Sequence, residues 1–199
     1  MGMIQRKTDL VAADILPVAE FESRRKEFQA ELRGHKQHRR LDVGPFCSVY
    51  FESWFTMWWQ VQEMLRVERG GDEQLADELA AYAPMVPKGR NLSATMMIEI
   101  EDPVRRHREL ARLGGIEDQV FLVIDGTDAK AEAADDLERT NDAGKTSSVH
   151  FFHFPLTEAQ AVALKSGTAN VMFAIRHPNY NHLAGLTAEQ VASLAADLD

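Results

Sequence analysis

Residues 46–52, FCSVYFE, alternate between apolar and polar positions, and residues 56–70, TMWWQVQEMLRVERG, follow at once with a helical period. On the strand, Cys47, Val49 and Phe51 share one face and Ser48, Tyr50 and Glu52 the other. On the helix, Met57, Trp58, Val61, Met64 and Leu65 fall within an arc of about 120°. Gln60, Gln62, Glu63 and Arg66 lie outside it. Glu68 also falls inside the helical arc, four residues after Met64 and three after Leu65. A carboxylate there must be paired, protonated or at a frayed end. The expectation is a buried Glu68 in contact with Arg39 or His35.

The remaining elements extend this pattern. Residues 19–40 read as a helix whose stripe of Phe21, Phe28 and Leu32 is continued by His35 and Arg39, with Gly34 interrupting it. Gly44-Pro45 marks a turn. Residues 72–82 read as a short helix ended by AYAPMVPKGRN, whose two prolines and glycine make a loop. Strands are expected at 93–101, 119–125, 148–154 and 170–176, and a polar loop over 135–146. Asp102-Pro103 opens a helix to Leu113, with proline in its favoured first position. Thr157-x-x-Gln160 and Thr187-x-x-Gln190 are capping boxes that open helices at 157–166 and 187–198. Strands standing singly between helices of varied length, without a βαβ rhythm, point to a single α+β domain over residues 1–199. Its sheet is expected to be mostly antiparallel, with about five strands.

Composition narrows the function. The 199 residues suffice for one stable core. No apolar run reaches the roughly 20 residues that span a bilayer, and the N-terminus lacks a signal-peptide pattern. The expected compartment is the cytoplasm, which the single Cys47 fits. A lone cysteine on an apolar strand reads as a core residue ahead of a catalytic thiol. A net charge of −9 argues against nucleic acid as a partner. The charge is uneven, however. Arg24, Arg25, Lys26, Arg33, Lys36, Arg39 and Arg40 stand against Glu27 and Glu31. That segment is either a solvated helix face or a surface for an anion or an acidic partner. Arg33, Lys36 and Arg40 are expected outside, His35 and Arg39 inside.

Motif tests are mostly negative. Gly144-Lys145-Thr146-Ser147 resembles the end of a phosphate-binding loop, but Arg139 stands where the first glycine belongs, and a strand follows where a helix is needed. His35/His38 and His150/His153 are His-x-x-His pairs; neither has further ligands at zinc-site spacing, and strand geometry sends His150 and His153 to opposite faces. No metal ligands are assigned, and no cofactor is indicated. What remains is a set of polar residues in apolar settings, His35, Arg39, Glu68, Glu99 and His150, with Arg40, Arg66, Arg69, Arg90 and Asn91 near helix or strand ends. They would either hold a ligand or fix the helices as buried ion pairs.

The runs HKQHRR (35–40), GPFCSVYFE (44–52), QVQEMLRVER (60–69), PMVPKGRNLSATMMIEI (84–100), GIED (115–118), GKTSSVHF (144–151) and IRHPNY (175–180) resemble a bacterial family, domain of unknown function 3501. The resemblance covers residues 10–180 and makes the last helix, 187–198, an extension. It brings no catalytic residues. Family members are encoded beside rubrerythrin-like and iron–sulfur oxidoreductase proteins, which implies an accessory role in redox or peroxide metabolism. The leading expectation is therefore a cytoplasmic accessory or small-ligand-binding protein, with a redox enzyme as protein partner. An alternative is an enzyme acting on a small anionic substrate, with Glu68 or His35 as acid/base and arginines holding the anion. A metal- or haem-binding module is a third reading. A concave site gathering His35, Arg39, Arg66, Arg69 and Glu68 would favour the enzyme.

Overall fold

The alternating strand at residue 47 is one of nine antiparallel strands that a computed structural model places among the described residues, 7–134 and 144–199. The order is α1 (Val18–Lys36), β1 (Arg40–Val43), β2 (Cys47–Glu52), α2 (Trp54–Glu68), α3 (Gly71–Tyr82), β3 (Asn91–Ile98), α4 (Pro103–Arg112), β4 (Val120–Ile124), β5 (Thr127–Lys130), β6 (Glu132–Ala133), β7 (Val149–Pro155), α5 (Glu158–Lys165), β8 (Val171–His177), β9 (Tyr180–Gly185) and α6 (Ala188–Ala195). The α+β class and the antiparallel pairing hold. The strands divide between two sheets, β1-β2-β3-β7-β6 and β5-β4-β8-β9. Of the expected loop over 135–146, residues 135–143 lie outside the described residues. No described helix is long and apolar enough to cross a membrane.

The two sheets enclose one core, in which Val49, Phe51, Met96, Phe152 and Phe154 of the first meet Leu122, Phe173 and Ile175 of the second. Phe154 meets Phe173 edge-on at 5.8 Å between ring centroids. α5 and α6 close this core with Leu164, Val191 and Leu194. A second core lies on the other face of the first sheet, where α1, α2 and α3 pack. There Trp58 is edge-on to Phe28 at 5.1 Å and to Phe21 at 5.8 Å. Full burial of each such ring contributes about 1.5–3 kcal/mol. Because α2 is covered by both the sheet and α1, its first turn is buried all round, from Trp54 to Trp58. Gln62, which the helical period places outside the arc, is likewise buried.

Cys47, Val49 and Phe51 face the inter-sheet core, while Glu52 pairs in register with Ser93, and Ser93 with His153, on the helix-covered side. His150 stands on the opposite face from His153, stacked on Phe152. Burial pushes the Cys47 thiol up to about 11, which keeps it protonated near neutrality and suits a core residue. Both capping boxes form, with Thr157 and Thr187 accepting from the backbone of Gln160 and Gln190.

One hydroxyl joins the two sheets. Tyr180, the first residue of β9, accepts from the Phe46 and Cys47 N–H groups at 3.2 and 3.1 Å and donates to the Val43 carbonyl at 2.6 Å. It thereby satisfies the β1–β2 turn. Gly44 has φ +70°, and a Cβ there would sit 2.6 Å from the Tyr180 oxygen. Glycine is required on both counts. Replacing Tyr180 with Phe strands three backbone groups, two of them on buried residues, and should destabilise the fold by about 1–3 kcal/mol. Thermal unfolding should show the midpoint falling by about 2–4 °C for each kcal/mol.

Candidate functional site

The last turn of α1 carries His35, the turn after it carries Arg39, and the β2–α2 junction carries Ser53, Trp54 and Phe55. These residues line a cavity of about 240 Å³ together with Lys7, Pro87, Ser193, Ala196 and Asp197. Helix α2 begins at this point because Ser53 caps it. The Ser53 hydroxyl accepts from the Thr56 N–H, and the Thr56 hydroxyl accepts from the Ser53 N–H at 2.8 Å.

His35 Nε2 lies 2.8 Å from the Ser53 hydroxyl, and its ring meets Phe55 edge-on. Burial, and then the charges of Arg39 and Lys36, hold the imidazole down to about 4, so it is neutral at pH 7. Arg39 is 2% exposed and is held by four hydrogen bonds. Nη1 donates to Asp197 Oδ2 at 2.7 Å and to the Glu52 carbonyl at 3.2 Å; Nη2 donates to Asp197 Oδ1 at 3.1 Å and to the Ser193 carbonyl at 2.7 Å. The bidentate pair neutralises the guanidinium. Lys7 is paired with Asp14 at 2.6 Å and lies over the Trp54 ring at 4.3 Å. Two N–H groups of cavity-lining side chains, Nε of Arg39 and Nε1 of Trp54, are buried without a hydrogen-bond partner among the described residues.

Glu68 requires correction. It is the last residue of α2, exposed, and its carboxylate accepts from Gln74 at 3.1 Å instead of meeting a basic group. Arg69 takes a left-handed φ of +55° and ends the helix, so the apolar arc runs past the packed part of α2 into solvent. The other expected site residues disperse. Arg66 pairs with Glu63, which also holds Arg25. Arg69 lies exposed, 3.9 Å from Glu22. Arg90 pairs with Glu158 at 3.1 Å, and Asn91 accepts from the Lys88 N–H. Arg40 holds Asp42 at 2.9 Å, with Glu99 at 4.0 Å, on the exposed edge of the first sheet. His150 is buried between the sheets, near Thr146 and the Ser147 carbonyl. Among the described residues His35 and Arg39 share a cavity that Arg66, Arg69 and Glu68 do not line, so that gathering does not form. Arg33, Lys36 and Arg40 are exposed.

Sequence reasoning missed Lys7, Ser53, Trp54 and Asp197. The Ser53-x-x-Thr56 spacing was a capping signal one turn before the expected helix start, but Asp197 reaches Arg39 across 158 residues, and no local pattern announces that. It also passed over Glu52. This carboxylate is buried and accepts from Thr56 and Thr95 at 2.6 Å each. Among the described residues, no group of three or more His, Cys, Asp or Glu side chains is placed to hold a metal ion.

The family model for DUF3501, proteins of unknown function, matches residues 9–198. The chain belongs to the DUF3501 family. The match takes in α6 and Asp197 just after it, so the last helix lies within the DUF3501 stretch and not beyond it. The crystal structure of a novel protein of unknown function from Burkholderia pseudomallei K96243, at 1.90 Å resolution, is similar at 39% identity with a TM-score of 0.88. The similarity covers 96% of this chain and 100% of that one. No curated protein matches.

Two outcomes follow from the geometry. Arg39→Ala removes the bidentate partner of Asp197 and the donor to two carbonyls and should destabilise by about 3–5 kcal/mol in chemical denaturation. Second, His35 remains neutral in the folded state while its unfolded counterpart binds a proton below about pH 6.5. Stability from this group is therefore complete above that pH and is lost as pH falls toward 4. After discounting for solvent screening in the open cavity, the loss is on the order of 1–2 kcal/mol. Denaturation midpoints across pH 4–7 should be flatter for His35→Gln than for the unaltered protein.

Proposed function

We propose that this DUF3501 protein is a cytoplasmic accessory protein that binds a small ligand bearing a carbonyl or carboxylate oxygen in the His35–Arg39 cavity. The supporting observation is that two residues lining the cavity, Arg39 and Trp54, each carry a buried N–H group, Nε and Nε1, that has no acceptor among the described residues. A buried donor without a partner costs about 1–3 kcal/mol, and an acceptor oxygen on a ligand would remove that penalty. Charge does not select the ligand: Lys7 and Arg39 are balanced by Asp14 and Asp197. The apolar faces of Trp54 and Phe55 favour a ligand with some hydrocarbon or a ring. The service of this ligand to a rubrerythrin-like or iron–sulfur oxidoreductase partner in redox or peroxide metabolism rests on the family resemblance.

The enzyme reading has one observation in its favour, the 2.8 Å contact of neutral His35 with the Ser53 hydroxyl. That hydroxyl is also the cap of α2, and no described carboxylate orients the other imidazole nitrogen. Binding is therefore the better-supported role.

The test is a calorimetric titration with small carboxylates from acetate to phenylacetate. Saturable one-to-one binding, weakened about tenfold by Trp54→Phe, is expected; one buried hydrogen bond of about 1.4 kcal/mol gives that factor. Absence of binding across the series, or equal affinity in the variant, would overturn the reading.

A further inference from the structure

Helix α4 is anchored on one side only. Leu110 and, just beyond the helix, Leu113 are buried, while residues 103–108 are all exposed. At 100° per residue, Val104, Arg105, Arg108 and Arg112 fall within an arc of about 100°, roughly opposite Leu110 and Leu113. Val104 is 79% exposed, and the Arg108 and Arg112 side chains are 70% and 54% exposed. The one acid on the helix, Glu109, takes both Arg108 and Arg112 at 3.3 and 2.9 Å. Arg106 is turned to the other side and donates to the Ile100 carbonyl. Arg105 stands in the first turn, just behind the Asp102 cap, where the helix dipole disfavours a cation, and no described carboxylate pairs with its side chain. On a chain of net charge −9, four arginines on ten residues with one glutamate are a local reversal of sign. Helix α1 differs, since its cations are interleaved with Glu20, Glu22, Glu27 and Glu31.

Among the described residues nothing in the packing explains this face, and a local rule broken without a structural gain marks a functional surface. We propose that the outward face of α4 docks an acidic helical segment of another protein. Arg105, Arg108 and Arg112 span about 10 Å of helix, a spacing that carboxylates repeating at i, i+3 and i+7 on a facing helix reproduce. Guanidinium forks suit carboxylates. Val104 adds an apolar contact within the basic stripe, which a protein partner can fill and a phosphate backbone cannot. A long nucleic acid would meet the repulsion of the surrounding acidic surface beyond a Debye length of about 8–10 Å; a short acidic helix would not. This docking surface is independent of the cavity, and either proposal can fail without the other.

The probe is a fluorescein-labelled 20-residue helical peptide of Glu, Ala and Leu with Glu at i, i+3 and i+7, followed by anisotropy at 50 and 200 mM salt. Expected are salt-sensitive binding, a loss of tenfold or more in the triple variant Arg105→Gln, Arg108→Gln, Arg112→Gln, and a several-fold loss in Val104→Ser. The triple Lys26→Gln, Arg33→Gln, Lys36→Gln on α1 removes the same charge and should leave binding within twofold. Thermal unfolding shows that each variant is folded; if the α4 triple is not, the single Arg105→Gln, outside every described ion pair, should still weaken binding. Equal loss from the α1 triple would show a net-charge effect only and overturn the proposal. So would undiminished binding in the folded α4 variants, or tighter binding of an oligothymidylate of matched charge. Sedimentation showing the chain's own copies associating through α4 in preference to the peptide would also overturn it.

Discussion

Arg39 fixes the relation between parts of the chain that sequence keeps apart. Its guanidinium bonds to the carbonyl that ends β2, to a carbonyl in α6 and to the Asp197 carboxylate just beyond α6. Its own carbonyl accepts from the Phe51 N–H at 2.8 Å. The residue therefore sets how α1 turns into β1, where β2 stops, and where α6 lies. A guanidinium buried to this extent persists only if it is paired and well hydrogen-bonded. The bidentate geometry supplies that and leaves Nε as the single unpartnered donor. The cavity is a consequence of this arrangement: α6 is drawn against the end of β2, and the space between them is bounded by the start of α2.

A second polar layer lies one step further in, between α2 and the first sheet. Glu52, Thr56 and Thr95 form a buried cluster in which two hydroxyls donate to one carboxylate. Across the strands, Ser93 and His153 continue the row at 3.0 Å. Such a layer gives α2 a defined register on the sheet, because sliding the helix by one turn would take the Thr56 hydroxyl away from the carboxylate and leave it with Thr95 alone. Packing alone would be less selective, since the aromatic rings on the same helix contact neighbours on several sides. Gln62 shows the limit of this ordering. It is fully buried, and both of its amide atoms lack partners among the described residues.

The sequence revealed elements whose signal is local. The alternation at 47–52, the Asp102-Pro103 start and the two capping boxes are each written in a few neighbouring residues, and each forms. The strands β1, β5, β6 and β9 were not legible: the first three have only two to four residues, and β9, YNHLAG, does not alternate apolar with polar positions. Their absence from the reading merged two sheets into one. Helical periodicity misplaced both Glu68 and Gln62 for one reason: it assumes a straight helix with one covered side. Helix α2 has two covered sides at its start and none at its end. Periodicity did bring His35 and Arg39 inward, although Arg39 lies in the turn after α1 and not on it. Their partner Asp197 depends on tertiary contact alone.

The interior and the exterior of this molecule handle positive charge differently, and the contrast bears on what each can recognise. In the cavity, each cation has its own carboxylate within 2.7 Å, so an incoming anion would gain little from net charge. Selectivity there must come from hydrogen-bond geometry and shape, through donors whose desolvation is already complete. Such contacts change little with ionic strength. On α4 the arginines are solvated and in surplus over their one carboxylate, so recognition there is electrostatic, long in range and weakened by salt. The first mode suits retention of a small molecule; the second suits fast, reversible encounter with a protein. The ligand site and the docking face proposed above would together let the chain hold a ligand while a partner comes and goes.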